Sequence, residues 1–254
     1  MVNYEKRGHI GLLTIDRPEA RNAVNGDVAE GMEAAIDQME ADEEVWIGIL
    51  TGNGPVFCAG ADLKAISSGQ AAALNTARGG FGGIVTRERV KPIIAAVDGP
   101  ALAGGTEIVL SCDLVVASTQ ARFGIPEVKR SLVAAAGGLF RLPRKIPFNI
   151  AMEAALTGDP ISAERAHHFG LVNRLVEPGT AFDAAVELAE AICVNAPLAV
   201  RESRRLVLES VTVTDDVEGV RQSGAALMGL ASTEDFAEGP LAFIEKRDPV
   251  WKGR

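Results

Sequence analysis

Three short segments of the chain carry the residue types and spacings that could do chemistry. They are residues 57–64 (FCAGADLK), 98–107 (DGPALAGGTE) and 123–127 (FGIPE). In the second segment Gly104 and Gly105 open an apolar helix, whose first backbone N–H groups lack intrahelical partners and attract negative charge. Glu107 follows in the first turn, where burial would raise its pKa and suit it to general acid–base catalysis. The segment therefore suggests a site for an anionic oxygen beside a carboxyl group.

Each segment also has a purely structural explanation, and taken alone each one favours it. The carboxylate of Glu107 could simply complement the dipole of its helix. The glycine pair could form a tight turn, and Glu127, which follows a proline in a loop, could be solvated. Asp62 and Lys64 could be an ordinary surface pair. Only the three segments taken together indicate a function.

Several well-known catalytic motifs do not occur. Residues 52–54 (GNG) follow a strand, but Phe57 stands where a dinucleotide-binding fingerprint needs its third glycine. There is no Gly-Lys dipeptide for a phosphate-binding loop and no Gly-x-Ser-x-Gly elbow. Two of the three histidines, His167 and His168, are neighbours, about 100° apart on a helix, and cannot bind one metal ion together. We therefore expect no metal site.

Composition and charge narrow the classes of partner. The 254 residues include 25 Lys and Arg against 34 Asp and Glu, a net charge of −9, which argues against a nucleic-acid surface. No apolar run approaches the ~18–20 residues of a membrane span. The N-terminus has no apolar signal core, and the three cysteines (Cys58, Cys112 and Cys193) are widely spaced. We expect a cytoplasmic protein with reduced thiols that does not bind membranes.

The hydrophobic pattern predicts alternating strands and helices, then a helical tail. Strands are expected over residues 9–16, 45–51, 93–98, 113–118 and 171–176. Helices are expected over residues 27–41, 104–112, 180–195, 198–210 and 214–231, with a short one over 233–238. Asn25 is the expected N-cap of the first helix. One face of that helix should carry Val28, Met32, Ala35, Ile36 and Met39. Residues 67–83 are linker-like, and their GGFGG stretch is expected to be a mobile lid or a loop beside a site.

The combined motifs resemble those of the crotonase (enoyl-CoA hydratase/isomerase) superfamily. FCAGADLK, GPALAGGTE followed by DLVVAS, and FGIPE followed by AAAGG occur in the order and at the spacing of that family. Residues 17–23 and 162–175 extend the similarity over nearly the whole chain. The resemblance implies an α/β fold, with a spiral of ββα units over residues 1–195 that holds the active site. Residues 196–254 would be a helical region for trimerisation and for covering coenzyme A.

The resemblance also implies a partner and a set of site residues. The ligand would be an acyl-CoA thioester, so that coenzyme A is part of the substrate and no separate cofactor is expected. The N–H groups of Ala61 and Gly104 would form an oxyanion hole for the thioester oxygen. The residues implied in contact with coenzyme A or substrate are Ala20, Arg21, Ala59, Asp62, Leu63, Lys64, Gly105, Phe243 and Lys246. The last two would reach a neighbouring subunit of a homotrimer or a dimer of trimers.

The family's hydratases have two glutamates at the positions of Glu107 and Glu127, so the resemblance implies reversible hydration of a 2-enoyl-CoA to a 3-hydroxyacyl-CoA. Residues 238–254 and the GGFGG stretch are similar to those of carnitinyl-CoA dehydratases. Three features argue against that alternative. They are Ala61, at a position where those enzymes have a tryptophan, the alanine run 134–136 and the small number of aromatic residues. A double-bond isomerase is a further alternative, because isomerases of the family commonly keep one glutamate. A non-catalytic relative that binds acyl-CoA or RNA is opposed by the retained glutamates and, for RNA, by the acidic charge.

Overall fold

Six strands form the main sheet, and five of them run parallel. The computed structural model describes all 254 residues. The strands of this sheet are, in spatial order, β1 (Val2–Arg7), β2 (Ile10–Ile15), β3 (Ile47–Gly52), β6 (Ile93–Val97), β8 (Leu114–Ser118) and β11 (Arg174–Val176). Only β1 is antiparallel to its neighbour. The sequence pattern did not predict β1, because its side chains are mostly polar and exposed.

Five shorter strands lie outside the main sheet. They are β4 (Asn75–Thr76), β5 (Gly80–Phe81), β7 (Ala101–Leu102), β9 (Arg122–Gly124) and β10 (Ile161–Ser162). The hairpin β4–β5 stands apart, whereas β10, β9 and β7 form a three-stranded sheet in that order. The predicted strand over 171–176 is too long. The backbone N–H groups of Leu171 and Val172 both donate to the carbonyl of Ala166, which holds them in a turn.

Ten helices complete the fold. They are α1 (Gly26–Ala41), α2 (Leu63–Ser67), α3 (Gly104–Ser111), α4 (Gly138–Lys145), α5 (Phe148–Thr157), α6 (Ala163–His168), α7 (Ala181–Cys193), α8 (Pro197–Glu209), α9 (Asp216–Leu230) and α10 (Glu234–Glu245). The Asn25 side chain caps α1 by accepting from the Val28 N–H at 3.0 Å, as predicted. All five residues predicted for the inner face of α1 are buried.

The prediction of a short terminal helix over 233–238 is wrong. Helix α10 has 12 residues and continues through Pro240. Proline removes one backbone donor from a helix and usually breaks it. Here Trp251, from the C-terminal segment after the helix, packs beside Gly239, the residue before the proline. The C-terminal segment therefore packs on α10 at the position where the proline would be expected to end it.

Successive turns of the chain also stack in a second wall, which confirms the expected spiral. Val24 forms a parallel bridge with Ala61, and Cys58 forms one with Ala101. Ala101 is in turn paired in parallel with Phe123 through β7 and β9. Because parallel strands end at the same edge of a sheet, the segments that follow these strands meet at one edge. Those segments are the three that the sequence analysis singled out.

Asn22 joins two consecutive turns of this spiral. Its side chain is fully buried and accepts from the Arg17 N–H at 2.9 Å. Its amide donates to the carbonyls of Asn53 and Val56 at 2.9 and 2.7 Å. The residue has φ of 54°, a left-handed conformation that asparagine tolerates better than most residues. The connection before α1 and the connection after β3 are thereby fixed to each other.

The GGFGG stretch forms a hairpin that packs against α1 and α3, and its expected mobility stays a prediction. A Cβ on Gly83 would lie 2.1 Å from the Ala29 carbonyl oxygen, so the backbone packs directly on α1. The carboxylate of Glu33 accepts from the Gly79 N–H at 2.8 Å and from the Thr76 hydroxyl at 2.5 Å. The ring of Phe81 packs against Gly104. The stretch therefore lies beside α3, at the position expected of a lid or a loop next to a site.

Helix α7 covers the outer face of the main sheet. Its Ala185, Val186 and Ala189 pack on residues such as Ile47 and Ile49 of β3, in a cluster separate from the larger core inside the spiral. Helix α8 follows and packs against α9. No helix of the structure has both the length and the apolar character needed to cross a membrane. The boundary expected at residue 196 falls between α7 and α8, and the division into two units stays a prediction.

The close approach between α3 and the preceding turn predicts the effect of Gly105→Ala. A Cβ on Gly105 would lie 2.1 Å from the Cys58 carbonyl oxygen, a backbone atom that cannot rotate away. We expect the free energy of unfolding to fall by roughly 1–3 kcal/mol, as in other overpacked interiors. Chemical denaturation measures it.

Gly224→Ala is the matched control, because Gly224 lies in α9 with nothing within 4 Å of its missing Cβ. Alanine there should leave the stability unchanged or raise it by up to ~1 kcal/mol. Equal effects of the two substitutions would contradict the tight contact at Gly105.

Candidate active site

Two backbone N–H groups without partners lie at the edge where the turns of the spiral meet. The N–H groups of Ala61 and Gly104 donate no hydrogen bond within the protein. Their segments are in direct contact, since a Cβ on Gly60 would lie 2.9 Å from the Gly104 nitrogen. Gly60 has φ of 90°, a conformation open mainly to glycine. The structure thus brings together the two donors that the sequence analysis assigned to an oxyanion hole.

The backbone at the start of α3 is strained. Ala103 has φ of 52° and ψ of −127°, a region in which a residue with a Cβ costs on the order of 1–3 kcal/mol. Its own N–H is held by the Gly124 carbonyl at 2.8 Å. The Thr106 hydroxyl donates to the Ala101 carbonyl at 2.6 Å, beneath the turn. These bonds hold the strained residue that directs the Gly104 N–H.

Glu107 lies in the interior, next to the N-terminus of α4. Its side chain is only 3% exposed, and Oε1 accepts from the Gly138 N–H at 2.9 Å. Burial raises the pKa of Glu107, and the nearby charge of Glu127 raises it further. The bond from Gly138 acts in the opposite direction, because it favours the ionised form. The carboxyl group therefore has a polar partner for one oxygen while its charged form is destabilised by burial.

Glu127 lies in a short 3-10 helix directly after β9. One of its oxygens, Oε2, is buried and has no hydrogen-bond partner in the protein. Burial raises the pKa of Glu127 as well. An unpaired buried carboxylate oxygen costs free energy unless water or a ligand satisfies it. The structure therefore contradicts a fully solvated loop position for Glu127 and places the residue close enough to Glu107 for their charges to interact.

The residues implied in contact with coenzyme A fall into two groups. In the first, Ala59 donates its N–H to the Arg21 carbonyl at 3.1 Å, so these two segments lie side by side. Arg21 and Lys64 are exposed, as is the Leu63 side chain. Together with Ala20 and Asp62 they surround the turn that carries Ala61. Among the predicted residues, only Arg21 and Lys64 supply positive charge near that turn.

Asp62 has a structural task that the sequence analysis did not assign. Its Oδ2 accepts from Arg17 Nη1 at 2.6 Å, in an ion pair that is largely buried. Its Oδ1 caps α2 by accepting from the N–H of Lys64 at 2.8 Å. The Arg17 bond lowers the pKa of Asp62, which keeps the group ionised. Its carboxylate is therefore already engaged within the protein, and Gly105, another predicted contact, is buried against Cys58.

The second group, Phe243 and Lys246, lies apart from the rest of the site. Phe243 is 85% exposed, and Lys246 ends α10 in a left-handed conformation. No hydrogen bond or ion pair joins α10 to the segments that carry Ala61, Gly104, Glu107 and Glu127. A contact of the tail with a neighbouring subunit's coenzyme A stays a prediction.

Two residues near Glu107 escaped the sequence analysis. Gly138 supplies the N–H that binds its carboxylate, and Arg141 lies close enough to affect its pKa. The signal for Gly138 was present, because the pair 137–138 opens a helix just as the pair 104–105 does. Nothing in the local pattern distinguished Arg141 from Arg144, which lies one turn away on the same helix.

Other chemistries find no support in the structure. No cluster of three histidine, cysteine, aspartate or glutamate side chains is arranged to hold a metal ion. All three cysteines are free, and burial raises the pKa of both Cys58 and Cys112 to about 12, so neither is a reactive thiolate. The pair of carboxyl groups and the pair of free N–H groups are what this site offers.

The chain is similar to known proteins along nearly its whole length. The model of the enoyl-CoA hydratase/isomerase family matches residues 5–254. The crystal structure of enoyl-CoA hydratase from Mycobacterium tuberculosis H37Rv has a TM-score of 0.95 and 50% identity, and covers 100% of this chain and 99% of that one. Enoyl-CoA hydratase EchA19 of Mycobacterium tuberculosis is 39% identical over 98% of this chain and 96% of its own. Carnitinyl-CoA dehydratase of Salmonella paratyphi A is 38% identical over 100% of this chain and 98% of its own.

These matches confirm the resemblance drawn from the motifs and the fold class that it implied. Because the family model spans residues 5–254 and the relatives match along nearly their whole length, this chain belongs to the enoyl-CoA hydratase/isomerase family.

Proposed function

We propose that the protein catalyses the reversible addition of water to a 2-enoyl-CoA thioester, giving a 3-hydroxyacyl-CoA. The observation that carries the proposal is the pair of the buried Glu107 and the half-buried Glu127, of which the second has a buried, unpartnered oxygen. Two similar proteins are named enoyl-CoA hydratases, which supports the same reaction class. The substrate acts with its coenzyme A attached, and no further cofactor enters the proposal.

In the proposed reaction the water oxygen bonds to Cβ while the Cα–Cβ π electrons move toward the thioester carbonyl. The N–H groups of Ala61 and Gly104 stabilise the resulting enolate oxygen, and losing one such donor elsewhere costs about 3 kcal/mol. One carboxylate takes the proton that the water releases, and a carboxylic acid delivers a proton to Cα. We assign these two transfers to Glu107 and Glu127 together and not to one residue each, because interacting carboxyl groups titrate as a pair.

Coenzyme A binding is proposed at the turn after β3. The exposed Arg21 and Lys64 supply local positive charge for its phosphates, although the whole chain has a net charge of −9. Ala20, Ala59, Leu63 and the backbone of Asp62 line the same turn. The buried Gly105 contributes by allowing α3 to approach it closely.

Hydration of other acyl groups is the second candidate. The carnitinyl-CoA dehydratase of Salmonella paratyphi A matches the whole chain, tail included. Its reaction would use the same two carboxyl groups with a trimethylammonium acyl group, which favours an aromatic or acidic pocket. The chain has only 5% aromatic residues. We therefore favour an uncharged enoyl group.

Turnover of acyl-CoA substrates tests the proposal. We expect the purified protein to remove the enoyl-thioester absorbance of crotonyl-CoA and to form the 3-hydroxyacyl product. Crotonobetainyl-CoA should react more slowly, and a faster reaction would favour the carnitine substrate. Conversion of a 3-enoyl-CoA to a 2-enoyl-CoA without hydration would favour an isomerase. Binding of acyl-CoA without turnover of any of them would overturn the proposal.

Substitution of the two glutamates tests their shared role. Glu107→Gln and Glu127→Gln should each lower kcat on a 2-enoyl-CoA by on the order of 10²–10⁴-fold, because each removes a proton-transfer group while keeping the side chain's size. Steady-state kinetics measures the loss. Glu30→Gln, at an exposed position of α1, is the control and should behave as wild type. Hydration that survives either active-site substitution at wild-type rate would remove that residue from the mechanism.

The exposed tail supports the proposal of a homotrimer or a dimer of trimers. Several apolar side chains beyond residue 196 are more than 70% exposed, among them Val217, Phe243 and Ile244. Contiguous exposed apolar surface marks an interaction site. Sedimentation should therefore give the mass of three or six chains, and Phe243→Ala with Lys246→Ala should raise KM for the acyl-CoA. A monomer with wild-type KM in the double variant would contradict the proposal.

A further inference from the structure

Arg141 reaches back from α4 over the turn that precedes the helix. Its Nη1 donates to the Ala136 carbonyl at 3.1 Å. A Cβ on Gly137 would lie 2.1 Å from the same nitrogen, and Gly137 has φ of 110°. The turn therefore accommodates the guanidinium only because it contains glycine. The next residue, Gly138, donates the N–H that holds Glu107.

The same guanidinium also contacts the segment that follows the GGFGG hairpin. Its Nη2 donates to the Val85 carbonyl at 2.5 Å. Four residues earlier, the ring of Phe81 packs against Gly104, whose N–H is one of the two free donors. Arg141 thus connects the turn that holds the carboxylate of Glu107 with the segment that packs beside the candidate oxyanion hole.

The charges around Glu107 come from two elements. Glu127 faces it from the 3-10 helix after β9, and its negative charge raises the pKa of Glu107. Arg141 faces it from α4, and its positive charge lowers that pKa. The backbone groups of Gly138 and Ala136 lower it too. Arg141 therefore supplies positive charge to Glu107 from the helix that also binds its carboxylate.

Arg141 has no carboxylate as a hydrogen-bond partner. Burial lowers the pKa of Arg141, whereas the charge of Glu107 raises it. Other charged or titratable groups that interact with it are Arg89, Arg144, Lys145 and the thiol of Cys112. A guanidinium remains protonated at any pH at which a protein is folded. The side chain is therefore a fixed positive charge that interacts with the carboxyl group of Glu107.

From this geometry we propose that Arg141 is a positioning residue, which fixes the orientation of Glu107 through the 136–138 turn and favours its ionised form. The inference rests on the proposed function and adds a residue to it. Arg141 makes no hydrogen bond to the segments assigned to coenzyme A, so we expect it to act on the proton-transfer step rather than on binding. Its planar fork of N–H donors fixes the 136–138 turn, whereas its charge favours the ionised form of Glu107, and substitutions can separate the two effects.

Two substitutions separate these contributions. Arg141→Met keeps an unbranched chain about as long as the aliphatic stem of arginine and removes both the charge and the hydrogen bonds, whereas Arg141→Lys keeps the charge and loses the fork. Displacement of a reacting group by about 1 Å can cost ~10²-fold in rate. We expect kcat on crotonyl-CoA to fall by ~10–100-fold in both variants, with KM changed much less.

The pH profile distinguishes a charge effect from mere loosening of the structure. In Arg141→Met the acidic limb of kcat/KM should move to higher pH, because Glu107 loses the cation that favours its ionised form. In Arg141→Lys the limb should stay at its wild-type position. Arg144→Met is the matched control: this arginine lies on the same helix, is exposed and makes no hydrogen bond, and its variant should match wild type. A wild-type kcat and limb in Arg141→Met would overturn the proposal.

A titration without turnover keeps this inference distinct from the proposed function. The side-chain carboxyl carbon of Glu107 can be followed by NMR in ¹³C-glutamate-labelled protein, with Glu107→Gln to assign it. We expect its titration midpoint to rise in Arg141→Met and not in Arg144→Met, and an unchanged midpoint in Arg141→Met would refute the role of the charge.

If the wild-type protein hydrated no enoyl-CoA, the proposed function would fail, but this titration would still decide whether the charge of Arg141 acts on Glu107. If Arg141→Met does not fold, Arg141→Lys decides: reduced kcat with a wild-type limb supports the proposal, and wild-type kcat contradicts it.

Discussion

The stacking of successive turns in the second wall is the constraint on which the rest of the structure depends. Cys58 pairs with Ala101, and Ala101 pairs with Phe123, so three separate stretches of chain end at one edge. The approach is so close that Gly105 has no space for a side chain beside the Cys58 carbonyl. Two backbone donors and two carboxyl groups converge there because each follows its strand by only a few residues.

Bringing two carboxyl groups into the interior has an electrostatic cost, and the structure offsets only part of it. Glu107 receives an N–H from the start of α4 and a cation from the same helix, while Glu127 keeps a buried oxygen without a partner. Complete compensation would hold both groups firmly ionised. The incomplete compensation raises the pKa of both and suits them to exchange protons.

Acidic residues elsewhere in the chain have structural tasks that shape the site indirectly. Glu33 holds the backbone and hydroxyl groups of the GGFGG hairpin, and Asp37 pairs with Arg78 and Arg87 beside it. Asp62 pairs with Arg17 and caps α2. The net charge of −9 is thus partly used in fixing the walls of the site, which leaves Arg21 and Lys64 as free cations on its rim.

The sequence by itself determined five strands of the main sheet, helices α1, α3 and α7–α9, the inner face of α1 and the three segments that build the site, because these follow from local hydrophobic period, capping and motif spacing. It did not predict β1, whose side chains are mostly polar, the short strands of the second wall, helices α2 and α4–α6 or the full length of α10. Tertiary structure alone decided that Asp62 is engaged by Arg17, that Glu127 is half-buried and that Arg141, rather than Arg144, faces Glu107. Burial and charge at a position depend on which other segments pack against it, and a local pattern does not contain that information.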